Sequence, residues 1–195
     1  MTALLKTKMT LEEYLEFDRN SEGRFEYFDG EVFEMSGVHP THARLERRLG
    51  RLLEEPTEAR GCHVFPADLR IVVPALPPYR YPDLTALCGA PEFVKVDGLL
   101  SLTNPALIVE ILSSSTAMYD QSEKFTGYKS IPSFREYLLI AQNRPHIVKY
   151  NKQSTRFWLQ SEYSAGETLD IESLGCTLDV DALYQGINFA SETGF

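Results

Sequence analysis

The chain has 195 residues, a hydrophobic share of 43% and a formal charge of −9. That length and apolar content support one domain with a sizeable core, and exclude a disordered chain or a staple-dependent mini-protein. The acidic balance counts against a non-specific, high-affinity binder of nucleic acid, because attraction to phosphate comes from lysine and arginine.

From the N-terminus, MTALLKTKMT lacks the apolar stretch of a secretory signal, and residues 1–9 are expected to be loose. No apolar run reaches the roughly 18 residues of a membrane span, so a soluble, cytoplasmic protein is expected. Thr10 and Glu13 form a capping box that opens a short helix through Leu11, Tyr14 and Leu15. Residues 24–35 read as a hairpin about Asp29-Gly30, a pair suited to the positive φ of a type I′ turn. Pro40-Thr41 starts a second helix, with Leu45, Leu49, Leu52 and Leu53 on one face, ended by Pro56 and Gly61. Strands are expected at 62–65, 69–73, 82–87 and 106–112, with an exposed proline-rich loop at 74–79. Ser113 to Thr116 supplies turn and cap residues, 121–130 is helical, and Pro132 stops it. Closing strands follow at 136–141, 146–151 and 156–160, then a last helix at 179–186, with 188–195 loose. The mixture indicates α/β or α+β: a central mixed sheet flanked by helices in a single domain. Cys62, Cys88 and Cys176 are odd in number and widely spaced, which argues against a disulfide framework or a zinc site and for a reducing compartment.

Glu110 is the most informative residue. It interrupts PALIVEIL, a run that otherwise reads as a strand buried on both faces. A carboxylate there costs several kcal/mol unless a cation or hydrogen-bond donors compensate it. Asp83, after Pro82 at the start of another strand, is the second candidate. Two carboxylates on neighbouring strands can share one hard divalent cation.

Pro82-Asp83, with Glu110 following 27 residues later, resembles the PD-(D/E)XK nuclease signature. More closely, YPDLTALCG and PALIVEILSSSTAMYDQSEKFTGYKSIPSFREYLLI resemble the Uma-two family of restriction-endonuclease-like proteins. RFEYFDGEVFEMSG and the HPTH helix start carry the likeness into the front of the chain. The resemblance implies a restriction-endonuclease-like fold and phosphodiester hydrolysis in DNA. Asp83, Glu110 and the Ile111 backbone carbonyl would hold Mg²⁺ or Mn²⁺. The superfamily's lysine two residues after the glutamate is Leu112 here, and the family block offers Lys124 instead. The bland reading of Lys124 is a solvated residue paired with Asp120 at i,i+4.

Supporting positions are Glu26, whose simplest reading is a solvated hairpin residue; Asp68, a second-layer partner or a turn residue; and His42. His39 and His42 at i,i+3 make no zinc site by themselves, and both read more simply as cap or surface groups. No nucleotide-binding glycine loop and no G-x-S-x-G elbow is present. A homodimer is an expectation by analogy alone. The rival reading is an endonuclease-like scaffold without catalysis, serving as a binding or assembly module, which the missing lysine and acidic charge favour.

Overall fold

The computed structural model describes residues 8–35, 39–113 and 117–189. Helix α1 (Leu11–Arg19) starts through the expected capping box: Thr10 Oγ1 accepts from the Glu13 amide, and the Glu13 carboxylate accepts from the Thr10 amide. Strands β1 (Phe25–Phe28) and β2 (Glu31–Glu34) pair about Asp29 and Gly30, both at positive φ. Tyr14 of α1, Phe25, Val32, Tyr79 and Tyr81 form a small core of their own, which fastens this N-terminal unit onto the rest.

Helix α2 (Pro40–Glu54) is capped by His39, whose Nδ1 accepts from the Thr41 amide. Two strands of the main sheet follow, β3 (Cys62–Pro66) and β4 (Leu84–Cys88). A separate hairpin comes next, β5 (Phe93–Val96) and β6 (Leu99–Leu102). The main sheet resumes with β7 (Leu107–Leu112), β8 (Glu136–Ala141), β9 (His146–Lys152) and β10 (Trp158–Ser164). Its order is β10-β9-β8-β7-β4-β3. The sheet is mixed as expected: β7 and β8 run parallel, and the other neighbours are antiparallel.

A parallel pair needs a crossover, and a helical segment after β7 supplies it. The segment consists of α3 (Ala117–Tyr119), a π-helical turn (Asp120–Lys124) and α4 (Phe125–Tyr128). α4 lies so close to the proline-rich loop that a Cβ on Gly127 would stand 2.2 Å from Leu76 Cδ1, so a larger residue there would have to displace the Leu76 side chain. Hairpin β11 (Thr168–Ile171) with β12 (Cys176–Asp179), and then α5 (Val180–Tyr184), complete the chain.

Alternation along β7 divides the core between two faces. Leu107, Val109 and Ile111 pack with Leu45, Leu49 and Leu53 of α2 and with α5. Ile108 belongs to the opposite cluster with Phe125, Tyr128, Phe134 and Tyr137. Each fully buried leucine contributes about 1.5–3 kcal/mol, so the α2 row holds that helix firmly to the sheet. Glu110 shares the Ile108 side, and its intrusion into an apolar layer is the reason the site forms there.

Several expectations are corrected. Residues 69–73 form no strand; Ile71 makes isolated bridges to Arg80 and Leu102. Prolines 74, 77 and 78 lack the amide needed to extend that ladder. Tyr79 of the supposedly exposed loop is fully buried. The two small hairpins were not anticipated, although Asp97-Gly98 carries the same turn chemistry as Asp29-Gly30, with positive φ at both residues. Cys62 and Cys88 face each other in the β3–β4 register and form a disulfide. Spacing along the chain hides a pair that strand pairing creates, and the cysteines therefore no longer argue for a reducing compartment. No helix among the described residues is long and apolar enough to cross a membrane. The predicted loose ends and the Ser114–Thr116 turn fall largely outside the described residues.

Candidate active site

Leu84 pairs with Val109, so Asp83, one residue earlier on the antiparallel strand, comes beside Glu110. Asp83 Oδ2 accepts the Ile111 amide at 2.6 Å, and Oδ1 lies 3.1 Å from His42 Nε2. Asp83 thus ties β4 to β7 and to the first turn of α2. The bond fixes both the carboxylate and the imidazole, and the preference for a surface or capping role at His42 is overturned: its ring is buried.

Glu110 is 3% exposed. Its Oε1 accepts from the Tyr128 hydroxyl at 2.7 Å and from Lys124 Nζ at 3.2 Å. Lys124 is equally buried and lies 3.6 Å from Glu26 Oε2 and 3.5 Å from Asp120 Oδ1. The solvated i,i+4 pair is corrected: Asp120 and Lys124 do pair, but inside the protein, because the π-helical turn directs both towards the sheet. Such turns recur at functional sites. Leu112, at the position of the absent motif lysine, packs against the aromatic cluster.

Glu26 is buried too, which overturns its solvated reading. The N-terminal hairpin lies over the end of the sheet, so a residue facing away from the hairpin's own core faces this cluster. Glu26 Oε1 accepts the Tyr81 amide at 2.8 Å, and Oε2 stands 3.9 Å from Arg80 Nε. Asp68, by contrast, is a turn residue with an 84% exposed side chain paired to Arg24, and makes no contact with the cluster among the described residues.

Sequence reasoning missed Arg80 and Tyr128. Tyr128 was reachable, since it stands at i+4 from Lys124 and shares its helix face. Arg80 sits in a loop with no periodicity to reveal it.

The cluster carries surplus negative charge. Glu26, Asp83, Glu110 and Asp120 face Lys124 and Arg80. Burial raises the Glu110 carboxyl well above the usual range; Lys124 opposes this, while Asp120, Asp83 and Glu26 reinforce it. Burial alone would lower the Lys124 ammonium, yet Glu110, Glu26 and Asp120 outweigh it and hold the proton firmly. For His42, burial works against the charged form, and the contact with Asp83 raises it overall. Four carboxylates against two cations leave a surplus that a proton on Glu110, a charged His42 or a bound cation would offset.

The donor set suits a hard divalent cation: it is all oxygen, it is anionic, and Glu26 Oε2 is buried with no hydrogen bond. In this arrangement, however, no three His, Cys, Asp or Glu side chains among the described residues stand at metal-binding spacing. The carboxylates face protein donors.

Residues 11–181 match the family model Uma2, described as "Putative restriction endonuclease". Two similar proteins come from Synechocystis sp. (strain ATCC 27184 / PCC 6803 / Kazusa). The chain is 31% identical over 182 residues to "Uncharacterized protein slr1290", covering 93% of this chain and 94% of that one. It is 35% identical over 173 residues to "Uncharacterized protein sll1609", covering 88% and 97%. Among solved structures, "a putative nuclease belonging to DUF820" from Anabaena variabilis ATCC 29413 superposes with a TM-score of 0.72 at 16% identity, covering 90% of this chain and 97% of that one. At that identity the likeness shows a shared fold.

Proposed function

The chain belongs to the Uma2 family, and from that membership together with the buried carboxylates we propose that it is a metal-dependent endonuclease hydrolysing phosphodiester bonds in DNA. The observation that carries the reading is the convergence of Asp83, Glu110, Glu26 and Lys124 at one end of the sheet, where the surplus of carboxylates would suit a cation. Asp83, Glu110 and the Ile111 carbonyl would hold Mg²⁺ or Mn²⁺, with Glu26 near by. When bound, the cation supplies Lewis-acid stabilisation of charge on a scissile phosphate. Lys124 would orient the attacking water or steady the phosphate, acting through position while remaining charged. His42 and the Ile111 amide keep Asp83 aimed, and Tyr128 does the same for Glu110.

The deciding experiment is Mn²⁺ titration by calorimetry on the wild type and on Asp83→Asn, followed by a cleavage assay on Glu110→Ala. Saturable binding that the Asp83 variant loses, with cleavage abolished in the Glu110 variant, is the expected result. A fully active Glu110→Ala protein would sink the assignment.

One observation favours a second reading, a non-catalytic scaffold: both Asp83 oxygens and Glu110 Oε1 already have protein partners. On that reading Mn²⁺ binds neither protein, and no divalent ion raises the melting temperature by mass action.

A further inference from the structure

Helix α2 is unusual in this acidic chain. Four of the twelve arginines, Arg44, Arg47, Arg48 and Arg51, fall within eight residues of it. They border a groove of about 910 Å³ between α2 and the sheet edge, where Val64 of β3 and Leu84 of β4 form the far wall. Ala43 and Gly50 make the near wall shallow enough for the groove to exist. Glu46 and Glu54 also line it, so its side chains sum to +2 in a chain of −9. Glu46 is half-buried, accepts the Ala67 amide, and has its carboxyl raised by burial, which weakens its opposition.

The arginines divide by their commitments. Arg44 donates to the Gly186 carbonyl, and Arg48 to the Leu183 and Gln185 carbonyls, so both fasten α2 to the end of α5. Arg47 is exposed and has no hydrogen bond or ion pair among the described residues. Arg51 makes a surface contact of 3.7 Å with Glu55, a kind of pair worth little and readily exchanged. Two guanidinium groups, one helical turn apart, are thus available to an anionic partner. The groove also leads to the carboxylates: Leu84 in its wall directly follows Asp83, and His42, one turn before Glu46, holds Asp83.

We propose that this groove seats the phosphodiester backbone of the nucleic acid, with Arg47 and Arg51 as its phosphate contacts, and delivers a strand to Asp83. The inference rests on the nuclease reading and adds a docking surface to it. It also accounts for how an acidic protein addresses a polyanion: the local field along one helix is opposite in sign to the field of the whole. Guanidinium forks match phosphate geometry, and sequence-independent backbone contact requires no base readout.

The test is fluorescence anisotropy of a labelled DNA duplex, and of an RNA duplex of the same sequence, in EDTA across a salt series. Three proteins are compared: wild type, Arg47→Ala/Arg51→Ala, and Lys95→Ala/Arg156→Ala, whose exposed residues lie off the groove and remove the same charge. The groove variant should reduce the slope of log affinity against log salt by about 2, close to one unit per lost phosphate contact, while the control keeps the wild-type slope. Equal slopes in all three proteins, or an equal fall in both variants, overturn the groove and leave the nuclease reading standing. A wild type that binds neither probe overturns the groove and leaves the nuclease reading to be decided by the Mn²⁺ titration.

Discussion

Lys124 sets its ammonium 3.2 Å from the Glu110 carboxylate, on the side of β7 where the residue two places after Glu110 also points. That residue is Leu112. The cationic partner of Glu110 therefore comes from the following helical segment and not from the strand.

Lys124 is the cation shared by Glu110, Glu26 and Asp120. Replacing it with methionine strands those carboxylates in a buried setting, which should cost about 3–5 kcal/mol. Urea unfolding reads this as a lower midpoint with an unchanged slope. A midpoint within error of wild type would show that the carboxylates are neutral without the lysine.

Glu26→Gln keeps an oxygen for the Tyr81 amide and removes a charge. If Glu26 serves the metal, Mn²⁺ affinity and cleavage should fall by about 10–100-fold, the usual effect of losing an outer partner of a metal site. The melting temperature should hardly change. Calorimetry and a cleavage time course check it, and unchanged affinity would confine Glu26 to a structural role.

His42→Ala leaves Asp83 anchored by the Ile111 amide alone. Cleavage should fall by about 10-fold or more as the carboxylate loses its aim, with a stability loss of about 1 kcal/mol for one hydrogen bond. Rate and melting temperature are measured on the same preparation. A lower melting temperature at full rate would mean that the imidazole only packs.

Away from the site, Lys149 joins Glu136 and Glu172, linking β8 and β9 to the β11–β12 hairpin. Partial burial opposes ionisation of Glu172, but the neighbouring Glu136 carboxyl, which can donate to it only as the acid and is itself raised, and the Lys149 ammonium prevail and bring the Glu172 carboxyl down to about 2. A depressed carboxylate stabilises the fold above its unfolded value of 4.5 and loses that contribution as pH falls towards about 2. The side chain is 56% exposed, so screening limits the effect. Glu172→Gln should be less stable than wild type by about 0.5 kcal/mol at neutral pH. The gap should close between pH 4.5 and about 2. A gap constant with pH would assign it to packing.

The sequence announces Glu110 because it breaks a local rule, an acid inside an apolar strand; Asp83, an acid after a proline at the start of a strand, is a weak signal alone and gains weight only beside Glu110. The crossover helix, the α2 face and the first hairpin follow from periodicity and turn chemistry. Glu26 and His42 are different. Amphipathic patterning tells which face of a hairpin or helix is polar; it does not tell that a second layer of chain will cover that face. Their burial depends on how the N-terminal unit docks against Tyr79 and Tyr81, a contact between segments more than fifty residues apart. The Cys62–Cys88 bond is hidden for the same reason.

The carboxylate cluster is gathered from β1, the start of α2, the residue before β4, the middle of β7 and the π-helical turn. No two of these are neighbours along the chain except the last pair. A nascent chain still on the ribosome, or one that has lost its N-terminal hairpin to a protease, holds a subset of the groups and not the ensemble. Whatever the cluster does, it needs all of these segments in place at once, and a half-made copy of the protein does not contain it.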